Sequence, residues 1–288
     1  MTGELVAQQV MADQSGLIAV ESFRVMHVIL DNLALFCYIL STLFHWLFMA
    51  SRKRMLLLWA LGAACVGFVV HTGYLSVEVS RAGSLFISEV HGATAFFSWT
   101  VMLVYLVAEA LTRIRVLGSF LVPIALLALL MGLALPPDAA LLVPPLTSFW
   151  LTTHIVLAFL GNAAFALTFC GGLMYLIQDR YLKAKQPGGF AARLPSLEIL
   201  DRLNFWALAF GVPLLTQGLV TGAIWARYAR GSFWIWERTT WPLIVMWGVY
   251  MLLFIGRWYL GWRGRRAAVA VMAGFCAVSL GYLLHALG

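Results

Sequence analysis

The chain has few charged residues and few cysteines. Only 11% of its 288 residues are charged, whereas 62% are hydrophobic, which excludes a soluble globular domain. The four cysteines, Cys37, Cys65, Cys170 and Cys276, stand alone in apolar stretches and form no Cys-x-x-Cys pair. Zinc binding and thiol redox chemistry need closely spaced, accessible thiols, so we expect these cysteines to be packing residues.

Several sequence signals of other protein classes are also missing. The chain has no phosphate-binding glycine loop and no low-complexity tract. It has no basic residue before Arg24, and a cleavable signal peptide starts with a basic segment, so no such peptide is expected. The net charge of +7 needs no nucleic-acid partner, because basic cytoplasmic loops lie beside anionic lipid headgroups.

Long apolar runs make up most of the chain. Runs of about 20 residues have the length needed to cross a bilayer core. Eight such spans are predicted, at residues 25–50, 55–75, 90–111, 116–134, 149–178, 203–226, 240–260 and 267–287. The connections between them are short. The predicted fold class is therefore all-α, a polytopic membrane helix bundle of about eight transmembrane helices.

This bundle is predicted to form one membrane domain with three parts. Residues 1–24 form an N-terminal tail, residues 25–135 form the first four helices, and residues 149–288 form the remaining four. No connection is large enough to fold as a separate soluble domain.

The basic residues predict how the helices are oriented. Fourteen of the nineteen lie in four connections, at 51–54, 112–115, 179–202 and 257–266. Cytoplasmic loops carry an excess of Lys and Arg, so these connections are predicted to be cytoplasmic. Both termini then face outward, and the expected location is a bacterial plasma (inner) membrane.

Five of the six histidines fall in the outer half of the membrane with this orientation, namely His27, His71, His91, His154 and His285. Ionisable groups at membrane depth usually face a cavity or a partner, and a neutral imidazole is a common axial ligand of haem iron. The alternative is that each histidine pairs locally at the interface. The two intramembrane acids, at 31 and 109, are expected to pair with polar neighbours.

Tryptophan is concentrated in one segment, residues 221–241, between the sixth and seventh spans. Four of the twelve tryptophans lie there, within seventeen residues. Such rings anchor helix ends in the headgroup layer. A packed set of indoles beside the Gly231-Ser232 turn can also hold a flat apolar ligand. Both interpretations are open from the residues alone.

This segment resembles the WWD signature of the CcsA/CcmC/CcmF superfamily, cytochrome c assembly proteins that handle haem. The residues that carry the resemblance are Trp225-Ala226, Gly231-Ser232-Phe233-Trp234-x-Trp236 and Trp241. Upstream, His154 looks like the outer histidine that precedes this loop in the family. The run Pro195-Ser196-Leu197-Glu198 is typical of the CcsA and HemX-like branch. The resemblance covers roughly residues 150–285.

The sequence departs from the family pattern at three places. One is the loop after Trp236, which is one residue shorter than usual and reads Arg238-Thr239-Thr240. Glu237 stands where the family usually has Asp, which keeps the charge on a longer side chain. The family's second outer histidine, downstream of the loop, aligns with Ile255. We therefore predict His91 as the second axial ligand, with His285 and His71 as alternatives.

The resemblance implies a haem-binding membrane protein that handles or presents haem at the outer face for cytochrome c maturation. The cofactor would be haem, as haem b in transit, with His154 and His91 on the iron. The other implied cofactor-binding residues are Trp225, Gly231, Ser232, Trp234, Trp236, Glu237 and Trp241. Arg227, Arg230 or Arg238 could pair with the haem propionates, since guanidinium suits carboxylate geometry.

No catalytic residue is predicted, so the chain would be at most one component of a cytochrome c haem lyase. It has no large outer domain to grip an apocytochrome c. The expected partners are therefore haem, membrane lipids, apocytochrome c and a membrane subunit with a large outer domain.

Two other functions stay open. One is a HemX-like accessory protein of haem biosynthesis or respiratory assembly, acting without direct haem delivery. The other is a polytopic transporter without haem, although the sequence has no convincing internal repeat or broken helix.

Overall fold

The computed structural model describes the backbone of residues 2–82, 90–134, 149–185, 191–233 and 240–287. Within these ranges, side chains are described except at 2–24, 81–82, 90, 191, 230, 240–243, 277–279 and 281–287. The described ranges hold eight α-helices and no strand, which confirms the all-α class. The helices are α1 Thr2–Ser51, α2 Arg54–Ala82, α3 Val90–Thr112, α4 Gly118–Ala134, α5 Phe149–Lys183, α6 Leu197–Arg230, α7 Thr240–Tyr259 and α8 Arg265–Leu287.

Five helices are long and apolar enough to cross a membrane, which confirms a multi-pass membrane protein. These segments are Val25–Ser51, Arg54–Ser80, His91–Thr112, Phe149–Lys183 and Leu197–Ala229. Gly118–Ala134 and Ile244–Tyr259 are shorter apolar helices. The N-terminal segment 2–24 is helical and continuous with the first span, since α1 begins at Thr2.

The tryptophan segment is only partly a connection. We expected residues 221–241 to form a loop, but α6 continues to Arg230, so Trp225 lies on a helix. α6 ends where Gly231 adopts a left-handed φ of 75°, and the Gly231 N–H donates to the Arg227 carbonyl at 3.0 Å. Glycine accepts this φ without steric cost, so it ends the helix here.

The short connections alternate the helices between two ends of the bundle. One end holds the connections 51–54, 112–118, 183–197 and 259–265, and it is called the basic end below. The Trp46 indole N–H donates to the Ser119 carbonyl there, at 2.9 Å. The Arg52 guanidinium donates to the Ala192 carbonyl. These bonds hold α1, α4 and the segment before α6 together.

The opposite end collects the histidines and is called the histidine end. His27 Nε2 on α1 lies 3.1 Å from Glu78 Oε1 on α2. His91 Nε2 at the start of α3 lies 3.4 Å from Asp31 Oδ2 on α1. His154, near the start of α5, contacts α6 there. The expected pairing of the acids is confirmed, since Asp31 meets His91 and Glu109 Oε1 lies 2.7 Å from Arg115 Nη1.

α5 and α6 pack extensively against each other, and glycines allow their approach. A Cβ on Gly161 would lie 3.1 Å from the Leu215 backbone nitrogen. A Cβ on Gly211 would lie 2.8 Å from the Phe165 ring. Small residues let helices in a membrane come close enough for extensive van der Waals contact. This contact fixes the start of α5, and with it His154, against α6.

His45, the one histidine away from the histidine end, is a structural residue. Its side chain is 0% exposed. Its Nε2 is 2.8 Å from the Tyr105 hydroxyl and its Nδ1 is 2.8 Å from the Ser41 carbonyl. Both ring nitrogens are therefore satisfied inside the bundle, as buried polar groups normally are.

The cysteine prediction holds for two of the four positions. All four are free, and Cys37 and Cys170 are buried in the bundle. Cys65 and Cys276 lie on exposed helix faces instead.

Candidate functional site

His154 is held by a single strong hydrogen bond from α5 to α6. Its Nδ1 lies 2.6 Å from the Gly218 carbonyl oxygen. A carbonyl oxygen only accepts, so Nδ1 carries the ring proton and Nε2 carries the free lone pair. In the described part of the chain, no residue hydrogen-bonds to Nε2. The Thr221 hydroxyl also donates to the Gly218 carbonyl, at 3.0 Å.

The imidazole lies directly on the backbone of α6. A Cβ at Gly222 would lie 2.6 Å from His154 Nδ1 and 2.8 Å from its Cε1. Any larger residue at 222 would push the ring away. Gly222 is therefore what lets the histidine reach the Gly218 carbonyl.

Trp225 lies on the same face of α6, because residues 218, 222 and 225 follow the helical period. Its side chain is half-buried, and its Nε1 is a buried donor without a hydrogen-bond partner among the described residues. A buried indole N–H normally finds an acceptor. His154, Gly218, Gly222 and Trp225 together are called the His154 site.

The rest of the predicted tryptophan site is described less fully. Gly231 is the left-handed cap of α6, and the Arg227 guanidinium donates to its carbonyl. Ser232 and Phe233 follow in exposed positions. Three predicted contributors, Trp234, Trp236 and Glu237, and also Arg238 lie outside the described residues. The side chains of Arg230, Trp241 and His285 are likewise outside them.

The predicted second iron ligand, His91, and the alternative His71 belong to a second cluster. The rings of His27, His71 and His91 surround Tyr74, with ring centroids 5.1, 5.8 and 6.3 Å from its own. The carboxylates of Asp31 and Glu78 are paired with two of these histidines. The sequence analysis missed the cluster as a unit, although 71, 74 and 78 share one face of α2 and 27 and 31 share one face of α1.

His91 and His71 differ in which nitrogen is occupied. The Nε2 atom of His91 is paired with the Asp31 carboxylate, and its Nδ1 atom lies against the Gly132 backbone. His71 is fully buried with Nδ1 3.1 Å from the Tyr38 hydroxyl, and its Nε2 has no hydrogen-bond partner among the described residues. No described contact joins either of them to His154, and the pairing of His91 with His154 on one haem stays a prediction.

Comparison with known proteins identifies the family. The sequence model of the cytochrome c assembly protein family matches residues 87–287, more than half of the chain. This chain belongs to that family. The matched range contains the His154 site and the tryptophan segment, and it leaves α1 and α2 outside.

Individual members of the family align over most of the chain. The cytochrome c biogenesis protein CcsA of Gloeobacter violaceus is 29% identical, covering 89% of this chain and 92% of its own length. The CcsA protein of Synechocystis is 28% identical, covering 93% and 95%. That of Porphyra purpurea is 30% identical, covering 68% and 74%. These similarities support a role in cytochrome c biogenesis, with haem and apocytochrome c or other assembly components as its partners.

The His154 site fits haem, the group that this family handles. A histidine whose Nδ1–H is donated to a backbone carbonyl presents Nε2 to a metal in a fixed orientation. Gly222 lets the ring lie directly against α6. Trp225 beside it offers an apolar face and an N–H that has no partner among the described residues. Trp225 could therefore contact the ring face or a polar edge of the porphyrin.

We expect Gly222→Ala to weaken haem binding by about tenfold, because the added methyl group would displace the imidazole from the Gly218 carbonyl. Absorbance titration of the detergent-purified variant with hemin measures the affinity. Gly248→Ala is the control, since nothing lies within 4 Å of a Cβ there. Equal affinities in the two variants would mean that the position of the His154 ring does not matter for haem.

Proposed function

We propose that this protein binds haem through His154 and presents it at the outer membrane face during cytochrome c maturation. One observation carries the proposal. His154 Nδ1–H is committed to the Gly218 carbonyl, while Nε2 has no partner among the described residues. Histidines that ligate metals are fixed in this way by the hydrogen bond of the other ring nitrogen.

Haem, when bound, supplies the vinyl groups to which the thiols of an apocytochrome Cys-x-x-Cys-His motif are joined. The residues of the chain hold and shield it. His154 would ligate the iron, Trp225 would donate its N–H or stack, and Arg227 would pair with a propionate. The tryptophans at 234, 236 and 241, with Gly231, Ser232 and Glu237, would enclose the remaining edge.

His285 is our proposal for the second axial ligand. α8 packs against α5, and Phe169 of α5 stacks on Phe275 of α8 with ring centroids 4.8 Å apart. His285 lies ten residues after Phe275 on α8, and His154 lies fifteen residues before Phe169 on α5. Both positions lie towards the histidine end and in the same half of the bundle. The preference for His91 rests on the sequence alone and stays a prediction.

The location and orientation are proposed from the charge pattern. The basic end would face the cytoplasm of a bacterial plasma membrane, because it holds most of the Lys and Arg residues. The His154 site would then open to the outer face. A partner subunit with a large outer domain would bring the apocytochrome to this site.

The accessory function remains the second candidate because of one residue. Ile255, which aligns with the family's downstream histidine, lies on α7 four residues before its end, and its side chain is 41% exposed. A chain without that histidine could act in haem biosynthesis or respiratory assembly without delivering haem.

Complementation distinguishes the two functions. In a host lacking this gene, we expect the native chain to restore c-type cytochromes, and His154→Ala and Trp225→Ala to restore about a tenth or less. Peroxidase staining of membrane proteins measures the yield, and immunoblots establish that each variant is present. Trp206→Ala is the control, because Trp206 lies on the same helix with an exposed side chain. Normal cytochrome levels with His154→Ala would favour the accessory function.

A further inference from the structure

Four arginines converge on one pocket at the basic end, far from the His154 site. The pocket has a volume of about 340 Å³ and is formed by three segments: the end of α1, the α3–α4 corner, and the turn before α6. Its arginines are Arg52, Arg113, Arg115 and Arg193, and none of the lining residues is acidic. The pocket therefore concentrates positive charge in a concave site.

Most of this charge is not neutralised by the residues that the structure describes. The guanidinium groups of Arg52 and Arg193 donate to the backbone carbonyls of Ala192 and Met49, which orients them but leaves their charge. Arg115 is paired with Glu109 at 2.7 Å. Arg113 has no carboxylate within ion-pair distance in the described part of the chain.

Arg52 and Arg113 occupy positions that favour glycine. Each follows the last residue of a helix with a left-handed φ, 57° for Arg52 and 55° for Arg113. A residue with a Cβ is strained in this region, whereas glycine is not. The helix dipole favours a cation at the C-terminal end of a helix. Lys185, just after α5, is a third basic residue with a left-handed φ, 54°, but it lies outside the pocket. The dipole therefore does not explain why the other two meet at one cavity.

The pocket also has an apolar wall, formed by Phe48, Ile114, Val116, Leu194 and Ile199. It lies at the helix ends, where the headgroup layer of a bilayer begins. Guanidinium forks match phosphate geometry, and an apolar wall beside them suits the glycerol and the first carbons of acyl chains. A free phosphate ion would use the arginines and have no need of the wall.

We propose that this pocket binds the phosphate headgroup of an anionic phospholipid. The lipid would connect the end of α1, the α3–α4 corner and the start of α6. In the protein itself, two arginine-to-carbonyl bonds join the end of α1 to the segment before α6, and the Trp46–Ser119 bond joins α1 to α4. Basic pockets at the cytoplasmic ends of helices are suited to such headgroups. The proposal does not depend on haem binding.

Thermal unfolding of the full-length protein in detergent tests the proposal. Phosphatidylglycerol is expected to raise the Tm of the native chain more than phosphatidylcholine or inorganic phosphate does. Arg113→Gly removes one guanidinium and relieves the left-handed φ, so it should fold with an unchanged or higher Tm without lipid. It should lose about half or more of the rise caused by phosphatidylglycerol.

Lys185→Gly is the matched control, because it removes one positive charge from the same kind of left-handed position at the same end. It should keep the full rise. The proposal is overturned if Arg113→Gly responds to phosphatidylglycerol as the native chain does. It is also overturned if phosphatidylcholine or inorganic phosphate stabilises the native chain equally, since the site would then be unspecific or a free-phosphate site.

Discussion

Replacing His154 by alanine is expected to reduce haem occupancy of the purified protein by about tenfold or more. The variant loses the imidazole whose Nε2 is the open nitrogen of the His154 site, and no described residue nearby replaces it. Absorption spectra of the oxidised and reduced protein in detergent measure this. The native chain should show a Soret band and sharp α and β bands, and the variant should show little of either.

Two comparisons make this result specific to the iron ligand. Thr153→Ala changes the neighbouring residue and should leave the spectrum unchanged. The Thr153 hydroxyl donates to the Phe149 carbonyl within its own helix. Adding imidazole to His154→Ala should partly restore the bands, because the free ligand can enter the vacated space. A native spectrum in His154→Ala would show that His154 is not an iron ligand. A native chain that takes up no haem would move the accessory function to first place.

Arg257→Ala is expected to lower stability by about 3 kcal/mol, seen as a fall of several degrees in Tm. The Arg257 side chain is 4% exposed, and its guanidinium donates two hydrogen bonds of 3.0 and 3.1 Å to the Asp201 carboxylate. A third bond goes to the Asp201 carbonyl at 3.0 Å, and the Gly264 N–H donates to the same carboxylate at 3.2 Å. The variant leaves a partly buried carboxylate without its cation.

Arg202→Ala is the control for this prediction. Arg202 and Glu198 form an ion pair of 3.0 Å one turn apart on the same helix, with side chains 69% and 81% exposed. Exposed pairs of this kind contribute about 0.5 kcal/mol or less, so the Tm should barely change. Equal losses in both variants would show that charge, rather than the buried contact, determines the stability of this end. Arg257→Lys should recover part of the loss at most, since lysine cannot bind the carboxylate with two parallel bonds.

The extents of the helices were largely predictable from the sequence. Apolar runs of membrane length have no alternative to helix in lipid, because every backbone polar group must be satisfied within the segment. The described helices therefore follow the predicted spans. One exception is α1, which begins at Thr2 although residues 1–24 were predicted as a tail. The other is the end of α6, where the tryptophans suggested a loop, while the backbone continues as helix until Gly231.

The candidate site was predictable in its residue types and not in its geometry. His154 and Trp225 were recognisable from the family pattern. His154 donates to the carbonyl of Gly218, 64 residues further along the chain, and the small size of Gly222 leaves space for the ring. Both features depend on how α5 packs against α6. Neither glycine is distinguishable in the sequence from a glycine that merely packs.

The polar contacts between distant helices were the least predictable feature. Arg257 was expected to be one of several basic loop residues, yet it is buried on Asp201, 56 residues away. His27, His71 and His91 were placed at one membrane depth, and their assembly around Tyr74 became visible only in the packed bundle.

The sequence by itself therefore determined the membrane class and the approximate helix ends, since these depend on local hydropathy. Its tryptophan motif, whose residues are close in the chain, indicated the family. Tertiary structure decided which ring nitrogen of His154 is open, which histidines share a cluster and which arginines converge on the pocket at the basic end. Such features depend on the rotation of each helix about its axis and on contacts of a few ångströms between residues far apart in sequence. Hydropathy patterns do not encode either quantity.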